Sequence, residues 1–352
     1  MVSLDQIPEK IDTPAAWIGH DMSLRSAEWH SSLTRVEVEE LIGAAEKFLA
    51  TDQDLGQLCT AAFVLPTLGS RLVSLKQELI GGRGFELVSG LPVHELSKEV
   101  SAAIFLGIGA HLGSARSQNA KGHILGHVRD LGLDTKDPKV RIYQTTERQS
   151  FHTDSVDVVG LLCLKEAMEG GESLLVSTVT LYNEMRQRRP DLASAMFEVV
   201  PTDRRGEVPE GQKPWFEIPV LNWHKGLLTG LYQRNYIRSA ERFSEAPRLS
   251  DQQIEALDFF DALANDPGMH LKMQLKPGDM QFVYNHSLLH DRMSFRDWPD
   301  PDQRRHLLRL WLSVPGDRAL PPSFVQRYGS IEVGNRGGII TKDTKLNVCL
   351  DG

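Results

Sequence analysis

From about residue 140 onward, the chain runs mainly as short strand-like stretches, and no regular β-α-β-α alternation organises them. The stretches fall at residues 140–145, 158–164, 174–177, 216–221, 271–275, 280–284 and 306–314. Turn residues separate many of them, including Gly170-Gly171 and Pro277-Gly278-Asp279. Helical patterns interrupt the series at 181–188 and 250–263, the second opening with Ser250 and Gln253 in capping-box spacing. A doubly wound parallel sheet needs strands and helices in strict alternation. This order instead predicts an α+β, mainly β fold: a sandwich or jelly roll dressed with helices.

The first part of the chain has a different character. In residues 33–50, Leu41, Ile42, Ala45, Phe48 and Leu49 recur at helical spacing. A second helical stretch, 72–80, stops at Gly81-Gly82. Residues 84–90 read as a strand and 97–112 as a helix. We therefore expect a helical N-terminal extension, 1–83, packed on a single β-rich unit, 84–352.

Composition narrows the function classes. A formal net charge of -8, with no Lys/Arg-rich run, argues against nucleic acid as a partner and against an anionic membrane surface. The most apolar stretch, 102–112, is too short to span a bilayer. The opening residues are acidic and Pro-containing where a signal peptide needs an apolar core. Cys59, Cys163 and Cys349 show no CxxC spacing, so a disulfide framework and a thiolate zinc site are both disfavoured and a cytoplasmic setting is expected.

The chemistry-bearing signal is SFHTD, residues 150–154. In a strand, positions i and i+2 share a face, so His152 and Asp154 aim an imidazole and a carboxylate at one point. A third ligand from elsewhere would complete two His and one carboxylate, the facial triad of non-haem iron(II) oxygenases. Alone, His-x-Asp is a weak motif, because 12 histidines make a chance match easy. A downstream segment strengthens it. Residues 278–314 read GDMQFVYNHSLLHDRMSFRDWPDPDQRRHLLRLWLSV. There Arg305, Leu307, Arg309 and Trp311 alternate with His306, Leu308, Leu310 and Leu312. As a strand, this places both arginines on one side and an apolar row on the other. Two inward guanidinium groups are costly unless anions meet them, and a dicarboxylate would do so. A solvated edge strand is the bland alternative.

These residues together resemble the taurine dioxygenase-like (TauD/TfdA) family of 2-oxoglutarate oxygenases, which includes clavaminate synthase-like proteins. The likeness is clearest over 141–185 and 276–314, and weaker from 84 to about 316. It implies a double-stranded β-helix core. FHTD is similar to the family's metal-binding element, which makes His152 and Asp154 proximal ligands. NHSLLH is similar to the distal element, with His290 as third ligand and His286 as a lesser alternative. LKEAMEGGESLLVS resembles the segment whose hydroxyl meets the distal carboxylate of 2-oxoglutarate, here Ser173 where threonine is commoner. RRHLLR resembles the closing element. Arg305 would pair with that same carboxylate, and Arg309 would sit near the substrate or the proximal carboxylate.

The resemblance implies Fe(II), 2-oxoglutarate and O2. The expected reaction is oxidation of an unactivated C–H bond by hydroxylation, desaturation or ring formation, with release of succinate and CO2. The substrate is expected to be small and polar, with an amino or carboxylic acid favoured by Arg309. Gln144 is a candidate pocket contact. The segments 215–223 and 232–236 line either the pocket or the core. His123 and His127 sit in either a lid or a surface loop. The Gly-rich tail, 327–350, is placed to fold over the mouth. The rival readings are a metal-dependent hydrolase and a metal-binding jelly roll without activity. Oligomeric state is not legible.

Overall fold

The computed structural model describes residues 4–134, 140–342 and 344–351. Its architecture is mixed α+β, built on two largely antiparallel sheets.

The larger sheet has seven strands. Its main path runs His30–Ser32, Phe85–Ser89, Met280–Tyr284, Val158–Lys165, His306–Ser313 and Ser114–Ala115, and Leu125–Val128 also pairs with His306–Ser313. Only the first pair is parallel. The smaller sheet orders Leu271–Met273, Ser173–Ser177, Leu288–Arg292 and Gln149–His152, all antiparallel.

Helices cover the outer face of the larger sheet. Arg35–Leu49 starts where Thr34 and Glu37 close a capping box, and it buries Leu41, Ala45 and Phe48. Lys98–Leu112 is capped by Ser97 and buried along most of its length. Its all-round apolar sequence fits such an interior position. Phe105, Ile108 and Leu112 share one buried cluster with Leu162, Phe282, Leu308, Leu310 and Leu312 of the sheet. The opposite face carries Leu307, which packs with Phe85, Val283, Leu175, Leu271 and Leu288 from both sheets. The alternation read from residues 305–312 is therefore the two-sidedness of one strand with a helix layer on one side and the second sheet on the other.

N-terminal residues join this framework. Trp17, Met22 and Trp29 enter the cluster between the sheets, and His30–Ser32 forms a sheet edge.

One strand expectation fails. Residues 140–145 contain no strand; Ile142–Gln144 is a 3-10 turn. The backbone N–H of Arg141 donates to Gln144 Oε1, and Thr145 Oγ1 donates to Ile142 O. This local bonding takes groups that a ladder would need.

Candidate active site

Two neighbouring strands of the smaller sheet set the site. Gln149–His152 and Leu288–Arg292 are antiparallel, with His152 directly opposite His290, and the ring centroids lie 4.1 Å apart. The chain leaves the strand after His152. Thr153 N then donates to Tyr232 O, and Asp154 N donates to Asn285 Oδ1 at 2.9 Å. This bend returns the Asp154 carboxylate to the two imidazoles. Its oxygens stand 3.9 Å from His152 Nε2 and 3.8 Å from His290 Nε2. The three donor atoms lie within 4.8 Å of one another, a set that could hold one metal ion.

The protonation states suit a cation. His152 Nδ1 lies 2.8 Å from Ser150 O, and donating there leaves a lone pair on Nε2. Burial, reinforced by His152, pushes His290 down to about 3, so its ring is neutral. Burial opposes ionisation of Asp154, but Arg309, His290, His152 and the Trp311 indole outweigh it and hold the carboxyl below its usual range. Trp311 Nε1 donates to Asp154 Oδ2 at 2.8 Å. Gln149 Nε2 stands 2.9 Å from His152 Nε2.

A cavity adjoins the triad, lined in part by Ser173, His290, Arg292, Arg305, Leu307 and Arg309. Arg305 lies over the Phe295 ring at 5.1 Å, and its Nη1 is buried without a partner. Burial lowers its pKa to about 10. An unpaired buried guanidinium is expensive, and a carboxylate in this cavity would relieve it. Gly171 makes room for it. At φ +75°, with a Cβ that would sit 3.1 Å from Arg305 Nε, it is a poor place for any side chain. Ser173 Oγ lies 3.0 Å from Gln281 Oε1, the partner its hydroxyl would exchange for a carboxylate oxygen. The residues present therefore fit a divalent metal beside a dicarboxylate.

A second cavity is lined by His152 and Asp154 and shares Tyr143 and Gln149 with the first. Arg309 lines both cavities, with Nε donating to Gln118 Oε1 at 2.7 Å and Nη1 3.5 Å from Asp154 Oδ2. The C-terminal segment contributes Arg327 and Ile339 to the wall. It is seated by Gly338 N donating to Ser155 O at 2.9 Å. Gly337, at φ +76°, would bring a Cβ to 2.6 Å from the same carbonyl.

Several expectations need correction. Gln144 does not line either cavity, because its amide is spent on its own turn. Tyr143 and Gln149 line both instead. His286 is fully buried elsewhere, with Nε2 2.8 Å from Asp157 Oδ1. Arg336 Nε and Nη2 donate to Asp157 and Asp317, each at 2.7 Å, so a guanidinium occupies that acidic cluster. His127 is in neither lid nor surface loop: it lies on the strand Leu125–Val128, with Nδ1 2.8 Å from His306 Nε2. Tyr232 is core, whereas Tyr236 lines the second cavity. Arg292 went unread, though strand spacing was available. It is two residues beyond His290 and directly opposite Ser173.

Fold and site together define a protein with two imidazoles and one carboxylate converging beside a cationic, carboxylate-sized cavity. The chain belongs to the "Taurine catabolism dioxygenase TauD, TfdA family", whose family model matches residues 51–311. The match starts well before residue 84, where the resemblance read from sequence begins. The chain is 33% identical over 313 residues to "FR-33289 synthase" of Streptomyces rubellomurinus, covering 86% of this chain and 91% of that protein. It is 30% identical over 311 residues to "Taurine hydroxylase-like protein SAT17" of Stachybotrys chartarum, covering 86% and 79%. A solved structure of asparagine oxygenase with Fe(II), 2S,3S-3-hydroxyasparagine and succinate superposes with a TM-score of 0.61 at 18% identity, covering 81% of this chain and 93% of that one. The protein is a non-haem iron dioxygenase that uses Fe(II), 2-oxoglutarate and O2. No helix among the described residues is long and apolar enough to cross a membrane.

Proposed function

We propose that His152, Asp154 and His290 hold the iron, that Ser173 and Arg305 receive the distal carboxylate of 2-oxoglutarate, and that Arg309 faces the substrate. The observation that carries this reading is the cross-strand pair His152–His290, closed by Asp154, beside the unpaired guanidinium of Arg305. When bound, the iron, 2-oxoglutarate and dioxygen supply the oxidising power to break an unactivated C–H bond, with release of succinate and CO2.

The chain's own part is placement. Arg305 sets the depth of the keto acid. Arg309, pinned by Gln118 and set between Tyr143 at 4.6 Å and Trp311 at 5.1 Å, offers a fixed cation where the two cavities meet. Trp311 and Asn285 hold Asp154 in orientation. The tail residues Arg327 and Ile339 narrow the mouth, which limits water at the reacting carbon.

The proposed substrate is a small polar acid. The bound product in the asparagine oxygenase structure is an amino acid, and this supports the same class here. We further propose that the two facing sheets form a double-stranded β-helix, that residues 1–83 form an extension packed on the unit 84–352, and that the enzyme works in the cytoplasm.

The test is succinate release from the reconstituted protein across a panel of amino and organic acids. Stimulation by at least one acid, lost in Asp154→Ala, is expected. Release that no member stimulates, or that survives Asp154→Ala, would contradict the reading.

A further inference from the structure

Arg309 and Asp154 lie side by side in the interior with opposite charges, yet they do not close into a tight ion pair. Both are buried, and Arg309 Nη1 stops 3.5 Å from Asp154 Oδ2. An unrestrained charge-assisted N–H···O bond closes to about 2.7–2.9 Å. A third side chain holds the guanidinium back.

That side chain is Gln118, which is buried. Its Oε1 accepts from Arg309 Nε at 2.7 Å. Its Nε2 donates to Arg309 O at 2.8 Å and to Ile124 O at 3.0 Å. One amide thus grips both the main chain and the side chain of the same arginine. The rings of Tyr143 and Trp311 also flank the guanidinium, at 4.6 and 5.1 Å, but attraction to a ring face leaves it free to turn in its own plane. The surroundings are shaped for the amide. Gly126 lies directly across the ladder from Arg309, and a Cβ there would come to 2.3 Å from Gln118 Oε1. The loop that carries Gln118 is itself held. Gln118 N donates to His123 O, Ile339 N to Ser117 O and Ile124 N to Asn347 O.

Asp154 has few lone pairs to share. Its two oxygens face His152 and His290, and Oδ2 already accepts from Trp311. A guanidinium that closed on it in fork geometry would take the lone pairs a metal needs and turn the carboxylate away from the imidazoles.

We propose that Gln118 is a positioning residue for the metal site: by holding Arg309 Nε it keeps the guanidinium from closing on Asp154 and leaves that carboxylate to the iron. It acts through Arg309. The inference rests on the assignment of His152, Asp154 and His290 as ligands and adds a requirement to it, that the neighbouring cation be restrained.

The test is anaerobic Fe(II) titration of the full chain, without 2-oxoglutarate, in single and double variants. Gln118→Leu keeps the bulk and removes the acceptor. It should weaken Fe(II) binding about tenfold, the usual effect of disturbing the outer partners of a ligand. Gln118→Glu loses the same two N–H donors but keeps an acceptor for Arg309 Nε, and it should bind Fe(II) as tightly as wild type. Gly126→Ala, which pushes the amide aside, should reproduce the Gln118→Leu loss. In an Arg309→Leu background neither Gln118→Leu nor Gly126→Ala should lower the affinity further. Should Gln118→Leu not fold, Gly126→Ala set against Gln118→Glu gives the same comparison. Unchanged affinity in Gln118→Leu, an equal loss in Gln118→Glu, or a loss that persists without Arg309 would overturn the proposal. Wild-type Fe(II) affinity in Asp154→Ala would instead refute the ligand assignment on which it rests.

Discussion

Partners orient His152 and Asp154, whereas among the described residues His290 Nδ1 and Arg305 Nη1 are buried without a hydrogen-bond partner. Arg305 borders a cavity it shares with Ser173, His290 and Arg292, lies over a phenyl ring and has one terminal nitrogen without a partner. Charge-assisted hydrogen bonds contribute about 1.5–3 kcal/mol, so Arg305→Ala should weaken 2-oxoglutarate binding roughly 10- to 100-fold. The Michaelis constant for 2-oxoglutarate should rise by that factor, and an unchanged value would remove Arg305 from its assigned role. Trp311 acts one step back. Its indole N–H is a hydrogen-bond donor to Asp154 Oδ2, and loss of such an outer partner typically costs 10- to 100-fold in metal affinity. Trp311→Phe should therefore lower iron affinity by at least about tenfold while leaving the cavity volume nearly intact; equilibrium dialysis of iron checks this.

Among the elements, the legible ones are those whose side chains carry a period. The strand 280–284 and the alternation in 306–313 were readable because a helix layer and a second sheet demand opposite faces. The turn 142–144 was misread because Val140, Ile142 and Thr145 have strand propensity, while Gln144 captures the Arg141 amide locally. Arg292 shares a strand face with His290 by i, i+2 spacing, a signal present in the sequence; His152 and Asp154 do not, because the strand ends at His152 and a bend returns the carboxylate. The His286 cluster had no such signal: its partners Asp157, Asp317 and Arg336 meet only through the fold. The strand pair carrying His127 and His306 makes a pH prediction. Burial, with His127 adding to it, pushes His306 down to about 3 in the folded chain, against about 6.5 when unfolded. Between these values the unfolded chain binds the extra proton, so this contribution to stability is complete above about pH 6.5 and declines as pH falls. The melting temperature should drop between about pH 7 and pH 5, and drop less in His306→Asn; an equal drop in both would contradict the assignment.

Across the whole molecule, the C-terminal segment is bound into the core instead of lying on it. Arg336 is fully buried and joins Asp157, three residues past Asp154, to Asp317. Removing one member of a buried ion network costs about 3–5 kcal/mol, so Arg336→Ala should show that loss in denaturant unfolding; a change below about 1 kcal/mol would mean the tail is not locked. The same lock positions Arg327 and Ile339 at the cavity, which links overall stability to the shape of the substrate site. The central claim is that one ferrous ion sits between His152, Asp154 and His290 with 2-oxoglutarate beside it. The most direct measurement is the visible charge-transfer absorption of that chelate, recorded without oxygen after adding Fe(II) and 2-oxoglutarate. The account expects a weak visible band in the wild-type protein and none in His152→Ala, Asp154→Ala or His290→Ala. A band of undiminished intensity in any of the three would contradict it.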